Sequence, residues 1–129
     1  MDKLEYIPGD LVKFATNTYT IVNFEENFLH NKICYALIST NSTKTAFVAD
    51  RDILPIPLTP DILEKNGWML YHLYYWFVEK ECLKLRLLEF DNYTWNACIG
   101  DNVIRINMYS VSDLQHLLFG LGLNSEMEV

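Results

Sequence analysis

No run of lysine or arginine occurs anywhere in these 129 residues, and ten basic side chains face seventeen acidic ones, for a formal net charge of -7. A phosphate-tracking surface needs clustered cations, so nucleic-acid binding of the ordinary basic kind is disfavoured. Cysteine is scarce: Cys34, Cys82 and Cys98 are odd in number, far apart and without a CxxC pair. That pattern argues against a disulfide framework and for reduced thiols in or near the core of a cytosolic protein. The sequons Asn41-Ser42-Thr43 and Asn92-Tyr93-Thr94 then read as polar turns. Met1-Asp2-Lys3-Leu4-Glu5 is charged and leads into no apolar h-region, so no secretory signal is expected. The longest apolar run, Trp68 to Val78, is interrupted by His72 and falls short of the ~20 residues that span a bilayer. The expected setting is the cytoplasm, with no membrane partner.

Motifs that carry chemistry are missing as well. There is no Gly-rich phosphate loop, no GxSxG and no HExxH. His30, His72 and His116 are widely separated and lack the spacing of a metal site, and His116 stands beside Gln115 on the expected polar side of the last helix. No cysteine has a local base beside it. No catalytic residue, cofactor or metal is expected, and the chain reads as a non-enzyme.

What the sequence does have is an apolar content of 50%, enough to bury a core as one domain or two small ones. Residues 1 to 57 carry five basic and seven acidic groups, and residues 58 to 129 carry five basic and ten acidic, so both halves are acidic. That balance keeps an apolar chain soluble. Three of the four prolines fall in one stretch, Leu54-Pro55-Ile56-Pro57-Leu58-Thr59-Pro60. Prolines fix φ and push the residues before them toward extended backbone, so the stretch is a stiff connector up to Thr59. Thr59 is placed to cap a short helix with Pro60 at its first position, Asp61 in its first turn and Lys65 in its last. Leu58 can staple onto Leu63, Gly67 suits the left-handed residue that ends the helix, and Trp68 can fold back on Leu63. A helix this short holds only when docked, so Pro57, Thr59, Pro60, Leu63, Gly67 and Trp68 are expected to form a structural joint.

On either side, the patterns alternate between strand and turn. Pro8-Gly9-Asp10 is a turn; strands follow at Leu11–Phe14, Thr18–Glu25, Ile33–Ile38 and Thr45–Val48, with a helical turn at Asp50–Ile53. Several short strands within about fifty residues suggest a small curled barrel of the SH3-like kind. After Trp68, the run Met69 to Val78 is apolar on both faces; its aromatic richness favours a strand, and a buried helix shares the pattern. Leu83, Leu85 and Leu87 alternate with Lys84 and Arg86 as a two-sided strand. Strands at Tyr93–Ile99 and Val103–Met108, joined through Asp91-Asn92 and Gly100-Asp101-Asn102, complete an antiparallel meander. The last helix runs from about Val111 to Leu121, with Ser110 and Asp113 as a capping box or, shifted, Ser112 with Gln115, and Met127–Val129 reads as an edge strand or a frayed end.

The aromatic cluster Tyr71, Tyr74, Tyr75, Trp76 and Phe77 is the candidate partner-binding surface. Core packing is the ordinary use of such a cluster. Stacking platforms for nucleic acid carry Lys and Arg around them, and only His72 and Lys80 are near in sequence, so an exposed cluster fits a protein partner better.

At the connector and the closing helix the chain resembles a family of short proteins encoded on prophages and conjugative elements of Bacteroides-type gut bacteria. Their phrase Ile-Pro-Leu-Thr-x-x-Ile-Leu-x-Lys-x-Gly-Phe stands here as Ile56-Pro57-Leu58-Thr59-Pro60-Asp61-Ile62-Leu63-Glu64-Lys65-Asn66-Gly67-Trp68. Their closing helix, Tyr followed by Leu-Gln and a later Gly, stands as Tyr109, Leu114-Gln115 and Gly122. The chain departs from the pattern at Trp68, and Ser112-Asp113 stands where a histidine precedes Leu-Gln. The family has no established activity, so the resemblance implies a mobile-element context and no mechanism.

The expected fold class is α+β: an SH3-like β-barrel unit over residues 1–57, then residues 58–129 with the short helix, the antiparallel meander and the closing helix. The expected function is a non-enzymatic protein-interaction module of a phage or mobile element, its partner a host or element-encoded protein. The alternative is nucleic-acid binding by the N-terminal barrel, which requires Lys13, Lys32, Lys44 and Arg51 to converge. The sequence leaves the oligomeric state open.

Overall fold

In the computed structural model of the protein, Pro8 and Gly9 set the first turn. The Asp10 amide donates to the Ile7 carbonyl at 3.1 Å, and the buried Asp10 carboxylate accepts from the Ile7 amide at 2.9 Å. Gly9 at φ +96° supplies the conformation that follows proline in a type II turn. The structure describes residues 6–27, 32–39, 45–72, 75–80, 83–90 and 94–129. The turns expected at Asn41–Lys44 and Asp91–Asn92, together with His30, Tyr74 and Cys82, lie outside the described residues. The chain falls into two compact units, Met1–Ile56 and Pro57–Val129. Antiparallel sheets and a few helices make the fold α+β.

In the first unit, β1 (Leu11–Phe14), β2 (Asn17–Asn27), β3 (Lys32–Ser39), β4 (Thr45–Ala49) and β5 (Ile53–Leu54) form one antiparallel sheet in the order β4-β3-β2-β1-β5. A 3₁₀ turn, Asp50–Asp52, leads into β5. Val12, Ile21, Tyr35 and Leu37 turn one way from the sheet and cluster with Tyr6, Val48 and Ile53. Val48 sits on one edge strand and Ile53 on the other. Four strand spacings of a flat sheet would set those edges roughly 19 Å apart, so the shared cluster means that the sheet curls. The bend has a local cause: β2 pairs with both β1 and β3, and its register against β3 slips between Ile21 and Asn23, leaving Val22 as the extra residue of a bulge. β5 was not foreseen. Ile53 and Leu54 pair with Phe14 and Lys13, so the first two residues after the 3₁₀ turn belong to the sheet.

The second unit begins by pinning the connector. Pro57 bridges Ser110, the Leu58 amide donates to the Tyr109 carbonyl at 2.9 Å, and the buried Trp95 indole N–H donates to the Leu58 carbonyl at 2.9 Å. Helix α1 (Pro60–Lys65) starts as its sequence prescribes: Thr59 Oγ1 accepts from the Ile62 amide at 3.3 Å. It ends in a Schellman motif, with Gly67 at φ +85° and the Trp68 amide donating to the Leu63 carbonyl at 3.0 Å. Leu58, Leu63 and Trp68 are all buried.

The run after Trp68 is two strands, β6 (Met69–Tyr71) and β7 (Tyr75–Lys80), not one element. With β8 (Leu83–Phe90), β9 (Thr94–Ile99) and β10 (Asn102–Met108) they form a second antiparallel sheet in strictly sequential order. Register puts Trp76, Leu85, Leu87, Trp95, Ala97 and Met108 on one face, most of them fully buried. Helix α2 (Val111–Gly120) buries Val111, Leu114 and Leu118 and opens with the capping box: Ser110 Oγ accepts from the Asp113 amide at 3.2 Å, and the Asp113 carboxylate accepts from the Ser110 amide at 3.0 Å. Trp95 bonds to the residue that precedes Thr59, and its strand partner Met108 leads directly into α2, so both helices lie on this face. The other face of the sheet has no helix over it among the described residues. Gln115, expected on the polar side of α2, is instead buried, at 3% exposure. Met127–Val129 is not a strand.

Candidate functional site

The open face of the second sheet is built by pleating. Side chains alternate between faces along a strand, so Tyr75 and Phe77 point one way and Trp76 the other. Tyr71 pairs with Tyr75, Met69 with Phe77, Phe77 with Arg86, and Glu79 with Lys84. Three strands therefore bring three aromatic rings and two cations onto one surface. The Tyr71 and Tyr75 rings stack at 5.1 Å with 24° between their planes, and Phe77 meets both edgewise, at 6.3 and 6.2 Å. Lys84 Nζ stands 4.8 Å from the Phe77 ring centre and 6.0 Å from that of Tyr71, and the Arg86 guanidinium lies 5.3 Å from Tyr75. Ring pairs of this geometry are worth about 0.5–1.5 kcal/mol and exposed cation–π contacts about 0.5–1 kcal/mol, so the cluster is held in place without a covering layer.

The surface extends beyond the rings. Met69, Tyr71, Leu88 and Val103 are exposed on it. On the edge strand β10, Asn102 to Asn107 are all exposed, and Val103 and Ile106 stand at 58% and 59% exposure. Arg86 also faces Asp101 at 3.9 Å, an exposed and weak pairing. Around the rings the charge is mixed, with Lys84 and Arg86 against Glu79 and Asp101.

Of the five residues expected in a partner-binding cluster, the structure brings Tyr71, Tyr75 and Phe77 together. Tyr74 lies outside the described residues. Trp76 is separated from them: it pairs with Leu70 and Leu87 on the helix-covered face. There it lines an open cleft of about 560 Å³ with Glu64, Gly67, Trp68, Met69 and Leu70. Lys84 and Arg86 are the members that linear reading missed, because they come from the neighbouring strand. The signal was present: a hairpin from Lys80 to Leu83 sets them beside Phe77 and Glu79. The joint residues Pro57, Thr59, Pro60, Leu63, Gly67 and Trp68 hold the bonds and burial described above.

In the first unit, Lys13 and Arg51 are exposed on β1 and on the 3₁₀ turn, while the side chains of Lys32 and Lys44 lie outside the described residues. Cys34 is half-buried and Cys98 buried. Among the described residues no three of His, Cys, Asp or Glu are grouped to hold a metal ion, and no helix is long and apolar enough to cross a membrane. What the aromatic face offers chemically is adhesion: flat apolar rings, tyrosine hydroxyls and two cations. No family model, no curated protein and no solved structure matches the chain.

Proposed function

We propose that the protein is a non-enzymatic interaction module and that the open face of its second sheet is where a protein partner sits. The observation that carries this reading is the group Tyr71, Tyr75 and Phe77 with Lys84 and Arg86 laid against them, on a face that no element of its own unit covers among the described residues. Tyrosine and arginine are the side chains that dominate binding energy at protein interfaces, and contiguous exposed apolar surface of this kind marks such interfaces. A nucleic acid would also find rings and cations here, but it would approach a chain of net charge -7 with Glu79 and Asp101 at the site. The resemblance at the connector and closing helix supplies the setting, a cytoplasmic accessory protein of a phage or conjugative element with a host or element-encoded partner. The first unit we read as an SH3-like barrel, supported by the order β4-β3-β2-β1-β5, the bulged β2 shared between neighbours and the 3₁₀ turn before β5.

The test is capture from host lysate with nuclease in one arm and two variants in others. Tyr71→Ala/Tyr75→Ala removes the stacked pair, and Phe119→Ala removes an exposed aromatic on α2 instead. A protein that survives nuclease, is lost with the tyrosine pair and is kept with Phe119→Ala supports the reading. Captured nucleic acid, or a protein lost equally with Phe119→Ala, overturns it.

A further inference from the structure

Beyond α2 the chain forms no regular element, yet its exposure alternates strictly: Leu123, Ser125, Met127 and Val129 are half-buried, while Asn124, Glu126 and Glu128 are exposed. That is the period of a β-strand, yet among the described residues no strand pairs with it. Its backbone is held by side chains instead. Asn66 Oδ1 accepts from the Glu128 amide at 2.8 Å, and Asn66 Nδ2 donates to the Glu128 carbonyl at 2.7 Å. The second Nδ2 hydrogen donates to the Ile62 carbonyl at 2.7 Å, which fixes the amide to α1 and sets its orientation. Gln115, buried on α2, donates from Nε2 to the Ser125 carbonyl at 3.1 Å. Lys65 Nζ donates to the Val129 main-chain oxygen at 2.9 Å. A cleft of about 400 Å³ runs alongside, lined by Lys65, Asn66, Asn124, Glu126, Met127 and Glu128.

We propose that Asn66, Gln115 and Lys65 form a clamp for an extended peptide, and that Leu123–Val129 fills it as an exchangeable strap. These four contacts from the clamp all go to the strap's main chain, so they read a backbone and not a side-chain sequence. The strap's inward positions, Leu123, Ser125, Met127 and Val129, define what else fits: a partner's extended segment with apolar or small residues at every second position. The same logic governs strand addition, where backbone bonds give affinity and alternate side chains give selectivity. The strap itself has no ladder of strand hydrogen bonds and half-exposed inward side chains, so it opens more readily than the core elements it lies on.

The test uses the full chain. Glu128→Pro removes the amide that donates to Asn66 and leaves every clamp side chain in place, which frees the strap and empties the clamp. A fluorescently labelled peptide of the Leu123–Val129 sequence is then titrated into three proteins. The expected result is binding at least tenfold tighter to Glu128→Pro than to the wild type, and loss of that gain when Asn66→Asp is added, since a carboxylate donates no hydrogen bond to the peptide carbonyl. Equal binding to the single and double variants overturns the clamp, as does no binding to Glu128→Pro with its circular-dichroism melt unchanged. Should Glu128→Pro lose its fold, hydrogen exchange on the wild type decides. The Glu128 amide is expected to exchange at least tenfold faster than those of Trp68 and Leu114, and exchange at the core rate overturns the exchangeable strap. The proposal does not rest on the aromatic face: Tyr71→Ala/Tyr75→Ala leaves the peptide titration unchanged even where it abolishes the partner capture.

Discussion

The two sheets of this chain are built alike and close differently. Each is a five-stranded antiparallel sheet. In the first, β5 returns to pair with β1, and the bulge at Val22 bends β2, so the inner faces of both edge strands reach one cluster. That sheet covers itself. In the second, strand order follows the chain from β6 to β10 without a return, and its register shifts fall on the last strand, β10 against β9. Its inner face is covered by α1 and α2, and a sheet covered by helices on one side keeps its other side for solvent or a partner. The placement of the candidate site follows from that difference in topology: the aromatic face exists because the second sheet borrows its cover from helices.

The largest test of this comparison is to remove the side chain that ties sheet to helices. Trp95 is buried at the centre of the covered face, and its indole N–H donates to Leu58 just before α1. Trp95→Ala creates a cavity and strands the Leu58 carbonyl, and should cost about 3–5 kcal/mol. Trp68, Trp76 and Trp95 all lie in the second unit, so fluorescence of the remaining two reports that unit alone during urea unfolding. A loss below about 1 kcal/mol would mean that the helices do not close this sheet through Trp95.

A change of opposite sign sharpens the side of the curled first sheet. The β1–β2 connection is two residues long, and Ala15 occupies it at φ +55°, a conformation that costs a residue with Cβ about 1–2 kcal/mol. Ala15→Gly removes that strain, and glycine's larger entropy loss takes back about 0.5–1 kcal/mol. The net expectation is a stabilisation of about 0.5–1 kcal/mol, read as a two- to five-fold slowing of hydrogen exchange at the Ile21 amide. Faster exchange would show that the turn is set by something other than backbone strain.

Local chemistry was legible in the residue order, and faces were not. The caps of both helices could be read from Thr59, Pro60, Gly67, Ser110, Asp113 and Gly122, because each acts within a few residues of itself. The strands of the first unit announced themselves by alternation, but β5 is two residues long and exists only because β1 is beside it. The aromatic run expected as one surface is divided by pleating, which sends Trp76 to the helix-covered side, whereas Tyr71, Tyr75 and Phe77 share the open one. Lys84 and Arg86 join that surface through hairpin register, information that no single stretch of the sequence holds. Gln115 was misplaced for the same kind of reason, since helical spacing shows which way a residue points but not that an extended segment lies across it.

The smallest expected effect bears on what the open face is for. Lys84 is exposed, crosses the ring faces and stands opposite Glu79, so Lys84→Ser should cost no more than about 0.5–1 kcal/mol of stability, the worth of an exposed cation–π contact. If the face serves only the fold, that small loss is the whole consequence. If it serves a partner, the same substitution bares the faces of Phe77 and Tyr71 and deletes a charge from the contact, so binding changes well beyond what stability does. Measured together, the urea midpoint of the variant and its retention of the captured partner separate the two. A near-neutral midpoint with lost capture assigns Lys84 to recognition, while unchanged capture returns it to the ordinary solvated face of a two-sided strand.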